Sequence, residues 1–294
     1  MTSTRDPVEV TPAVLTEVPL PQPAAGKDSR GHVVVLAGTA STPGAARLAA
    51  EAALRAGAGK LTVLTCEVTA APLAVALPEA MVVPLAATSS GHPAASAADE
   101  VLACLDGADT LLVGCGYDDA DETLSFLSNV LPRVRIAVVL DATASVYLTD
   151  EPQGLLHLDG RAVLNVNPGE LALTAGCSDD DVSDDPDGVV RRVAERSGVV
   201  VLCGGPEKHI AQPGGRAWVF SGGGPTLGVS GSGDVQAGIV AGLLARGCEP
   251  AQAAIWGSYV HGRVGERLAA EVGPVGSLAR EQPRLVPTVL TEIH

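Results

Sequence analysis

Aromatic residues are scarce in this chain: its 294 residues include two Phe, two Trp and three Tyr. Proteins that hold single-stranded nucleic acid stack the bases on aromatic rings, and this composition is unsuited to that task. Positive charge is scarce as well, and the formal net charge of −15 at pH 7 would repel a polyanion. We therefore expect neither a nucleic acid nor an acidic membrane surface as a partner.

Paired cysteines and long apolar runs are also missing. The six cysteines are scattered without a Cys-x-x-Cys pair, which argues against a zinc site of that kind and against a disulfide framework. No run of 18 or more apolar residues occurs, and the first ten residues lack the apolar core of a signal peptide. The sequence thus predicts a cytoplasmic protein with reduced thiols and no membrane segment.

Small aliphatic side chains are abundant and occur in alternating segments. The hydrophobic share of 46% comes mainly from Ala, Val and Leu, which suits packed layers of sheet and helix. Short runs rich in Val, Leu and Ile predict strands at 33–37, 60–65, 81–85, 111–114, 136–141, 162–166 and 199–203. The alternation predicts an α/β fold with a central, mostly parallel sheet flanked by helices on both faces.

Predicted helices separate most of these strands, at 45–56, 94–105, 120–131, 170–174 and 189–197. Residues 211–220 predict a hairpin with Pro213–Gly215 as its turn, and helices at 235–246 and 251–270 close the fold. The acidic stretch 178–187 predicts a solvated loop. No linker divides the chain, so residues 26–294 are predicted to form one domain and the proline-rich residues 1–25 an extended arm.

The segment Val229–Gly238 carries the clearest functional signal, because a glycine-rich loop there passes into an apolar helix. N–H groups at a helix N-terminus bind anions, and Gly231 and Gly233 would let a phosphate approach the backbone. Asp234 could act as a base beside these amides, or it could only cap the helix. The segment is neither a Walker loop nor a Gly-x-Ser-x-Gly nucleophile elbow.

Three further loops follow predicted strands, and open α/β sheets bind ligands at that edge. They are Gly38–Ala46, Gly114–Gly116 and Asn165–Glu170. Pro168 disfavours helical geometry at Asn167, which would present the Asn167 amide in the crevice. Each loop alone is a weak signal, but the four loops together predict one cleft across the edge of the sheet.

Six segments occur in one order and together resemble the ADP-dependent NAD(P)H-hydrate dehydratases, a branch of the ribokinase-like fold. They are Lys27–Gly38, Pro43–Ala46, Ala53–Leu61, Asn167–Glu170, Gly231–Val235 and His261–Arg263. The resemblance covers about residues 25–292 and implies a single ribokinase-like domain. It implies an enzyme that removes water from the hydrated nicotinamide ring of (6S)-NADHX or NADPHX, using ADP (or ATP) and Mg²⁺.

The resemblance also implies roles for individual residues. Asp234 would be the catalytic base, and the hydrated nucleotide would contact Ala45, Gly116, Asn167 and Asp234. The adenine nucleotide would contact Cys203, Gly204, Gly205, Pro206, Glu207, Gly231, Ser232 and Gly233. The metal ligands are not assigned. A homotetramer is expected, with a separate epimerase for the other epimer of the hydrate, because this chain is too short to include an epimerase domain.

Two positions depart from the family pattern. Many relatives have His in place of Asn167, and an amide still donates and accepts hydrogen bonds. Cys203 stands where the family has Lys, so a positive charge near the phosphates is missing, and Lys208 is the nearest lysine along the chain. A lysine restored at 203 should tighten ADP binding if the position faces the phosphates, but not if Cys203 packs like a small hydrophobe.

Two other functions stay open from the sequence alone. A small-molecule kinase of the ribokinase-like fold, acting on a hydroxymethyl-pyrimidine or hydroxyethyl-thiazole, would share the Gly-x-Gly-Asp motif. A nucleotide-binding paralogue without catalysis would be consistent with Cys203. The Pro43–Ala46 and Asn167–Glu170 loops favour the dehydratase over both.

Overall fold

The computed structural model describes residues 6–22 and 25–293 and has a ten-stranded sheet at its centre. The strands are β1 (Val8–Glu9), β2 (His32–Leu36), β3 (Lys60–Cys66), β4 (Met81–Leu85), β5 (Thr110–Val113), β6 (Ala137–Asp141), β7 (Ala162–Val166), β8 (Val200–Cys203), β9 (Glu207–Ala211) and β10 (Ala217–Ser221). Their order in the sheet is β1-β10-β9-β8-β7-β6-β5-β2-β3-β4. Within the described ranges β9 alone runs antiparallel to its neighbours, which confirms the predicted mostly parallel sheet.

Twelve α-helices occur in the same ranges, joined in places by short 3₁₀ segments. The helices are α1 (Pro12–Glu17), α2 (Pro43–Arg55), α3 (Glu67–Ala76), α4 (Ala98–Cys104), α5 (Ala120–Val130), α6 (Val146–Asp150), α7 (Pro168–Ala175), α8 (Asp179–Asp184), α9 (Pro186–Ser197), α10 (Ser232–Ala245), α11 (Pro250–Glu271) and α12 (Val286–Leu290). Among these described helices, none combines the length and the apolar character needed to cross a bilayer.

Two apolar cores form because successive side chains of a strand point to opposite faces of the sheet. In β2, Val33 and Val35 pack in the first core, and Val34 and Leu36 pack in the second. The first core includes side chains of α2, α10 and α11, and the second includes side chains of α5, α7 and α9. The sheet therefore has helices on both faces, as the sequence predicted.

Helices α2 and α10 pack closely through small residues. A Cβ added to Gly238 would lie 2.2 Å from the carbonyl oxygen of Ala49, and one added to Gly242 would lie 2.4 Å from that of Ala53. Glycine permits this approach because it has no Cβ. The two contacts have the same spacing along both helices, so α2 and α10 run parallel and their N-terminal turns lie side by side.

The N-terminal segment is not the extended arm that the sequence predicted. β1 pairs in parallel with β10, and α1 begins at Pro12, a residue that favours the first turn of a helix. Trp256 Nε1 donates a hydrogen bond to the carbonyl oxygen of Val18 at 2.7 Å, which attaches the segment to α11. The prediction is wrong for residues 12–17, and its parts at 1–5 and 23–24 lie outside the described residues.

Most predicted strands and helices agree with the structure to within a few residues, and the hairpin of β9 and β10 is confirmed. The acidic stretch is helical, because Ser178 and Asp185 cap α8 and α9. The loop prediction was wrong since Ser and Asp, which are common in solvated loops, are also preferred N-caps. Helix α3, which contains Pro72, was not predicted.

Candidate active site

The carboxyl ends of the parallel strands bring the predicted loops to one edge of the sheet. The loops after β2 and β5 are joined where the Gly38 N–H donates to the carbonyl oxygen of Cys115 at 2.9 Å. The loops after β7 and β8 are joined where the Gly204 N–H donates to the carbonyl oxygen of Val166 at 2.7 Å. The strand order changes direction between β2 and β5, which is where open α/β sheets hold their ligands.

A cleft of about 730 Å³ opens at this edge, a volume typical of small-molecule sites. The predicted site residues that line it are Asn167, Gly204, Gly205, Pro206, Gly231, Ser232, Gly233 and Asp234. In the described chain, the predicted site residues outside this lining are Ala45, Gly116, Cys203 and Glu207. The structure thus brings together the loops after β7 and β8 with the start of α10.

Asp234 lies in the first turn of α10, whose N-cap is Gly231 with a φ of +89°. The cap of α10 has no side-chain hydrogen bond, so the alternative that Asp234 only caps the helix has no support. Burial raises the pKa of Asp234, and the nearby charge of Glu170 raises this pKa further, while a hydrogen bond with Cys115 acts in the opposite direction. The first turn of α10 therefore combines unpaired N–H groups with a carboxyl group of raised proton affinity.

The Ser232 hydroxyl belongs to a buried hydrogen-bond network. It lies 3.0 Å from His261 Nε2, and Gln282 Nε2 donates to it at 3.1 Å. Burial and the charge of Lys208 lower the pKa of His261 to about 3, so its imidazole is neutral. The network holds the start of α10 in place, and the Ser232 N–H also has a partner, since it donates to the carbonyl oxygen of Val229 at 3.1 Å.

Asn167 and Glu170 form a capping box at the start of α7. The Glu170 N–H donates to Asn167 Oδ1 at 2.9 Å, and the Asn167 N–H donates to Glu170 Oε2 at 2.9 Å. Burial raises the pKa of Glu170. The amide oxygen of Asn167 is thus engaged in capping α7. The NH₂ group of the Asn167 side chain is the part that can face a ligand.

A thiol and two carboxylates lie together beside the cleft. One ligand atom from each of Cys115, Asp141 and Asp234 lies within 4.8 Å of the others. The Cys115 thiol donates to Asp141 Oδ2 at 3.1 Å, and Asn165 Nδ2 donates to Asp141 Oδ1 at 2.6 Å. Burial and the neighbouring Asp234 raise the pKa of Asp141. Two carboxyl groups so close in a buried site do not both ionise readily unless a cation is bound.

Ala45 and Gly116 lie outside the cleft but contact each other. Gly116 has a φ of +76°, and a Cβ added there would lie 2.6 Å from the Cβ of Ala45. The Thr42 hydroxyl donates to the carbonyl oxygen of Gly116, which ties this loop to the start of α2. Asp234 lines the cleft, and its carboxylate lies within 4.8 Å of the thiol of Cys115, the residue before Gly116. Asp234 therefore stands between the cleft and the loop that contains Gly116.

Cys203 and Lys208 occupy different environments. Cys203 is 2% exposed and packs in the second apolar core, where burial raises its pKa to about 12. Lys208 lines the cleft, and its Nζ donates to the carbonyl oxygen of Gly222 at 3.0 Å and lies 5.6 Å from the centre of the Phe220 ring. Burial lowers the pKa of Lys208 to about 8. In the described part of the chain, Lys208 supplies the one Lys or Arg side chain that lines the cleft.

Three buried polar atoms that line the cleft have no hydrogen-bond partner among the described residues. They are Asn165 Oδ1, Gln236 Nε2 and His261 Nδ1. Buried polar atoms in proteins rarely lack a partner, so unpaired ones in a cleft suit a polar ligand. The amide NH₂ of Gln236 can donate to an anionic oxygen, and the oxygen of Asn165 can accept from a donor or bind a cation.

Comparison with known proteins identifies the family. The family model described as NAD(P)H-hydrate dehydratase matches residues 33–285. The chain belongs to this family. An ADP-dependent (S)-NAD(P)H-hydrate dehydratase from Xanthomonas campestris is 39% identical over 289 residues, which are 97% of this chain and 96% of that protein. A bifunctional NAD(P)H-hydrate repair enzyme from Moorella thermoacetica is 32% identical, and the match covers 95% of this chain and 53% of that enzyme.

Solved structures confirm the ribokinase-like fold of this NAD(P)H-hydrate dehydratase family member. A ribokinase-like superfamily protein from Enterococcus faecalis has a TM-score of 0.82 at 24% identity, covering 97% of this chain and 96% of that one. An ADP/ATP-dependent NAD(P)H-hydrate dehydratase from Bacillus subtilis, co-crystallised with ATP and Mg²⁺, has a TM-score of 0.80 at 24% identity, covering 98% and 99%. A hydroxyethylthiazole kinase from Pyrococcus horikoshii is more distant, with a TM-score of 0.56 at 17% identity and 89% of both chains covered.

Asp141 and Gln236 line the cleft of this dehydratase family member but were not singled out from the sequence. Asp141 ends β6, and Gln236 follows Asp234 in the first turns of α10. Asp141 had a usable signal, because a carboxylate at the carboxyl end of a buried strand lies at the ligand edge of such a sheet. Gln236 had none, since a single amide in an apolar helix is common.

Proposed function

We propose that this protein removes water from (6S)-NADHX or (6S)-NADPHX in a reaction that consumes ADP. The match to the Xanthomonas campestris enzyme over nearly the full length of both chains supports this. The observation that carries the proposal is the position of Asp234, which lines a nucleotide-sized cleft and lies beside Cys115, the neighbour of Gly116. A base at that point would touch both a phosphate in the cleft and a hydroxyl on the α2 side.

The adenine nucleotide would occupy the cleft. Its phosphates would face the first turn of α10, where N–H groups and the helix dipole favour an anion. Gly233 leaves the backbone accessible there, because nothing lies within 4 Å of the position that a Cβ would occupy. The unpaired Gln236 Nε2 supplies a further donor. Lys208 would add the positive charge that Cys203 does not.

The hydrated nicotinamide ring would lie against Ala45 and Gly116. Its hydroxyl is a poor leaving group, and phosphoryl transfer would make it a good one. Asp234 would accept the hydroxyl proton while that oxygen bonds to the terminal phosphorus of ADP and AMP departs. Phosphate would then leave with the C–O bond electrons, and the neighbouring ring carbon would lose a proton to water. The products are NADH or NADPH, AMP and phosphate.

Magnesium would accompany the nucleotide. Mg²⁺ prefers oxygen ligands and commonly binds one or two carboxylates together with phosphate oxygens. Glu170 lines the cleft with one carboxylate oxygen engaged by the Asn167 N–H, so its other oxygen fits this use. When bound, Mg²⁺ would neutralise charge on the phosphates.

The test is recovery of NADH absorbance from chemically prepared (6S)-NADHX, with and without ADP and Mg²⁺, and with ATP for comparison. We expect turnover that requires an adenine nucleotide and is lost in Asp234→Asn. Phosphorylation of a hydroxymethyl-pyrimidine or hydroxyethyl-thiazole without NADH formation would favour the kinase. ADP binding without any turnover would favour the paralogue without catalysis.

We further propose that the protein is a cytoplasmic homotetramer that works with a separate epimerase. The segment that matches this chain is 53% of the bifunctional NAD(P)H-hydrate repair enzyme from Moorella thermoacetica. Light scattering of the purified protein would measure the oligomer. Complete conversion of a mixture of both NADHX epimers should require an added epimerase.

A further inference from the structure

The cluster formed by Cys115, Asp141 and Asp234, hereafter the thiol–carboxylate cluster, contains two groups, Cys115 and Asp141, that the proposed dehydration does not use. Cys115 is fully buried and Asp141 is 3% exposed, while Asp234 is partly open to the cleft. The three ligand atoms lie within 4.8 Å of one another. The residues come from the loop after β5, the end of β6 and the first turn of α10, so the fold brings them together from three elements.

This cluster lacks positive charge of its own. The groups that act on Asp141 and Asp234 are Cys115, Asn165 and Glu170, and each of these is neutral or acidic. Lys208, the cation of the cleft, is directed to the carbonyl oxygen of Gly222 and does not contact the cluster in the described structure. A bound cation would therefore relieve the repulsion between the two carboxylates.

Asn165 provides an independent sign of a ligand. It is 3% exposed, and its Nδ2 donates to Asp141 while its Oδ1 has no partner in the described chain. Asn165, Asp141 and Asp234 line the same cleft. An amide oxygen accepts hydrogen bonds or binds cations, and this one lies on the side chain that already holds a cluster member.

We propose that Cys115, Asp141 and Asp234 bind one divalent cation of the Zn²⁺ class, with Asn165 Oδ1 or water completing the coordination. Zn²⁺ accepts thiolate, carboxylate and carbonyl-type ligands in tetrahedral geometry, at about 2.0–2.3 Å. Ligand atoms within 4.8 Å reach such distances with small side-chain adjustments. A thiolate favours Zn²⁺ over Mg²⁺, which prefers oxygen ligands, so the nucleotide's Mg²⁺ does not compete well for this site.

Occupancy of the cluster would withdraw Asp234 from proton transfer. This consequence rests on the proposed function, whereas binding of the cation does not. We expect Zn²⁺ at low concentration to inhibit the dehydratase reaction in the presence of excess Mg²⁺. The Cys115 thiol loses its proton to the buffer when the metal binds, so binding should release protons.

The experiment uses Co²⁺ as a spectroscopic probe for Zn²⁺, with the full-length protein and without substrate. A Co²⁺–thiolate bond has a near-ultraviolet charge-transfer absorption that carboxylate sites lack. We expect this absorption in the wild type, its displacement by Zn²⁺, and its loss in Cys115→Ser. Cys248→Ser is the matched control, because Cys248 is also buried but lies between α10 and α11, outside the cluster.

A second variant keeps the proposal testable if Cys115→Ser does not fold. Asp141→Asn preserves the side-chain shape and should weaken Co²⁺ binding by more than roughly 10-fold, since even loss of an outer-shell partner costs 10–100-fold. Absence of the thiolate band in folded wild-type protein, or its survival in Cys115→Ser, would overturn the proposal. A Co²⁺ band together with absent NADHX turnover would leave the cation site standing and count against the proposed function alone.

Discussion

Lys208 Nζ lies 3.0 Å from the carbonyl oxygen of Gly222, and this is its one hydrogen bond among the described residues. An ammonium group has three N–H donors, so two of them have no partner although the side chain is 2% exposed. The side chain lines the cleft. This arrangement suits a cation held ready for an anionic ligand.

The first prediction concerns the charge of Lys208. Lys208→Met should weaken ADP binding about 10-fold or more, because a hydrogen bond to a charged group contributes roughly 1.5–3 kcal/mol. Calorimetric titration of ADP would measure this. Lys60→Met is the matched control, since Lys60 is half exposed, pairs with Asp28 and lies away from the cleft. Equal affinity of wild type and Lys208→Met would count against a nucleotide contact at Lys208.

The second prediction concerns pH. Burial lowers the pKa of Lys208 from 10.5 to about 8. Between about 8 and 10.5 the unfolded chain binds this proton and the folded protein does not, so the contribution of Lys208 to the free energy of unfolding rises with pH. ADP affinity should fall as the pH rises through about 8, where the ammonium of the folded protein loses its charge. Denaturant unfolding would measure how the free energy of unfolding changes with pH, and ADP titration would measure how the affinity changes with pH. Both pH dependences should be weaker in Lys208→Met than in the wild type.

The third prediction concerns Asp234. Asp234→Asn should lower turnover by about 10²–10⁴-fold, the usual range for a general acid–base group, and change ADP affinity only a few-fold. The structure favours a catalytic role of Asp234 over a role as helix cap, because no side chain forms a capping hydrogen bond at the start of α10. The kinetics should be measured alongside thermal unfolding. Near-normal turnover with a lowered Tm would instead assign Asp234 a structural role.

The fourth prediction concerns Cys203. Cys203 lies in the second apolar core, which favours the alternative that it packs like a small hydrophobic residue. Cys203→Lys should therefore lower the Tm and should not tighten ADP binding. A buried amine without a partner costs roughly 3–5 kcal/mol. Cys203→Ala serves as the control for lost packing. Tighter ADP binding in a stable Cys203→Lys protein would show that a lysine at this position reaches the phosphates after all.

The fifth prediction concerns the contact between α2 and α10. Gly238→Ala should lower the free energy of unfolding by about 1–3 kcal/mol, the usual cost of overpacking, because its Cβ would meet the carbonyl oxygen of Ala49. Turnover should fall as well, since this contact positions α10, the helix that carries Asp234. Gly44→Ala in the first turn of α2 has open space and should be neutral or slightly stabilising. Comparable unfolding curves for the two variants would contradict this account.

The sequence by itself determined the elements whose signals are local. Runs of Val and Leu predicted the parallel strands, and Pro213–Gly215 predicted the hairpin between β9 and β10. The glycines before Asp234 predicted the start of α10. The same local reasoning was wrong where one residue type serves two purposes, as with the Ser and Asp residues of the acidic stretch that cap α8 and α9.

Only the tertiary structure decided which side chains meet. Cys115 and Asp141 are 26 residues apart, and they touch because β5 and β6 are neighbours in the sheet. Lys208 faces the cleft because β9 reverses direction beside β8, and Cys203 turns into the core at the end of β8. Side-chain periodicity encodes the face that a residue presents within its own element. Contacts between elements depend on strand order and on how closely helices such as α2 and α10 can approach, and no local pattern in the chain specifies either.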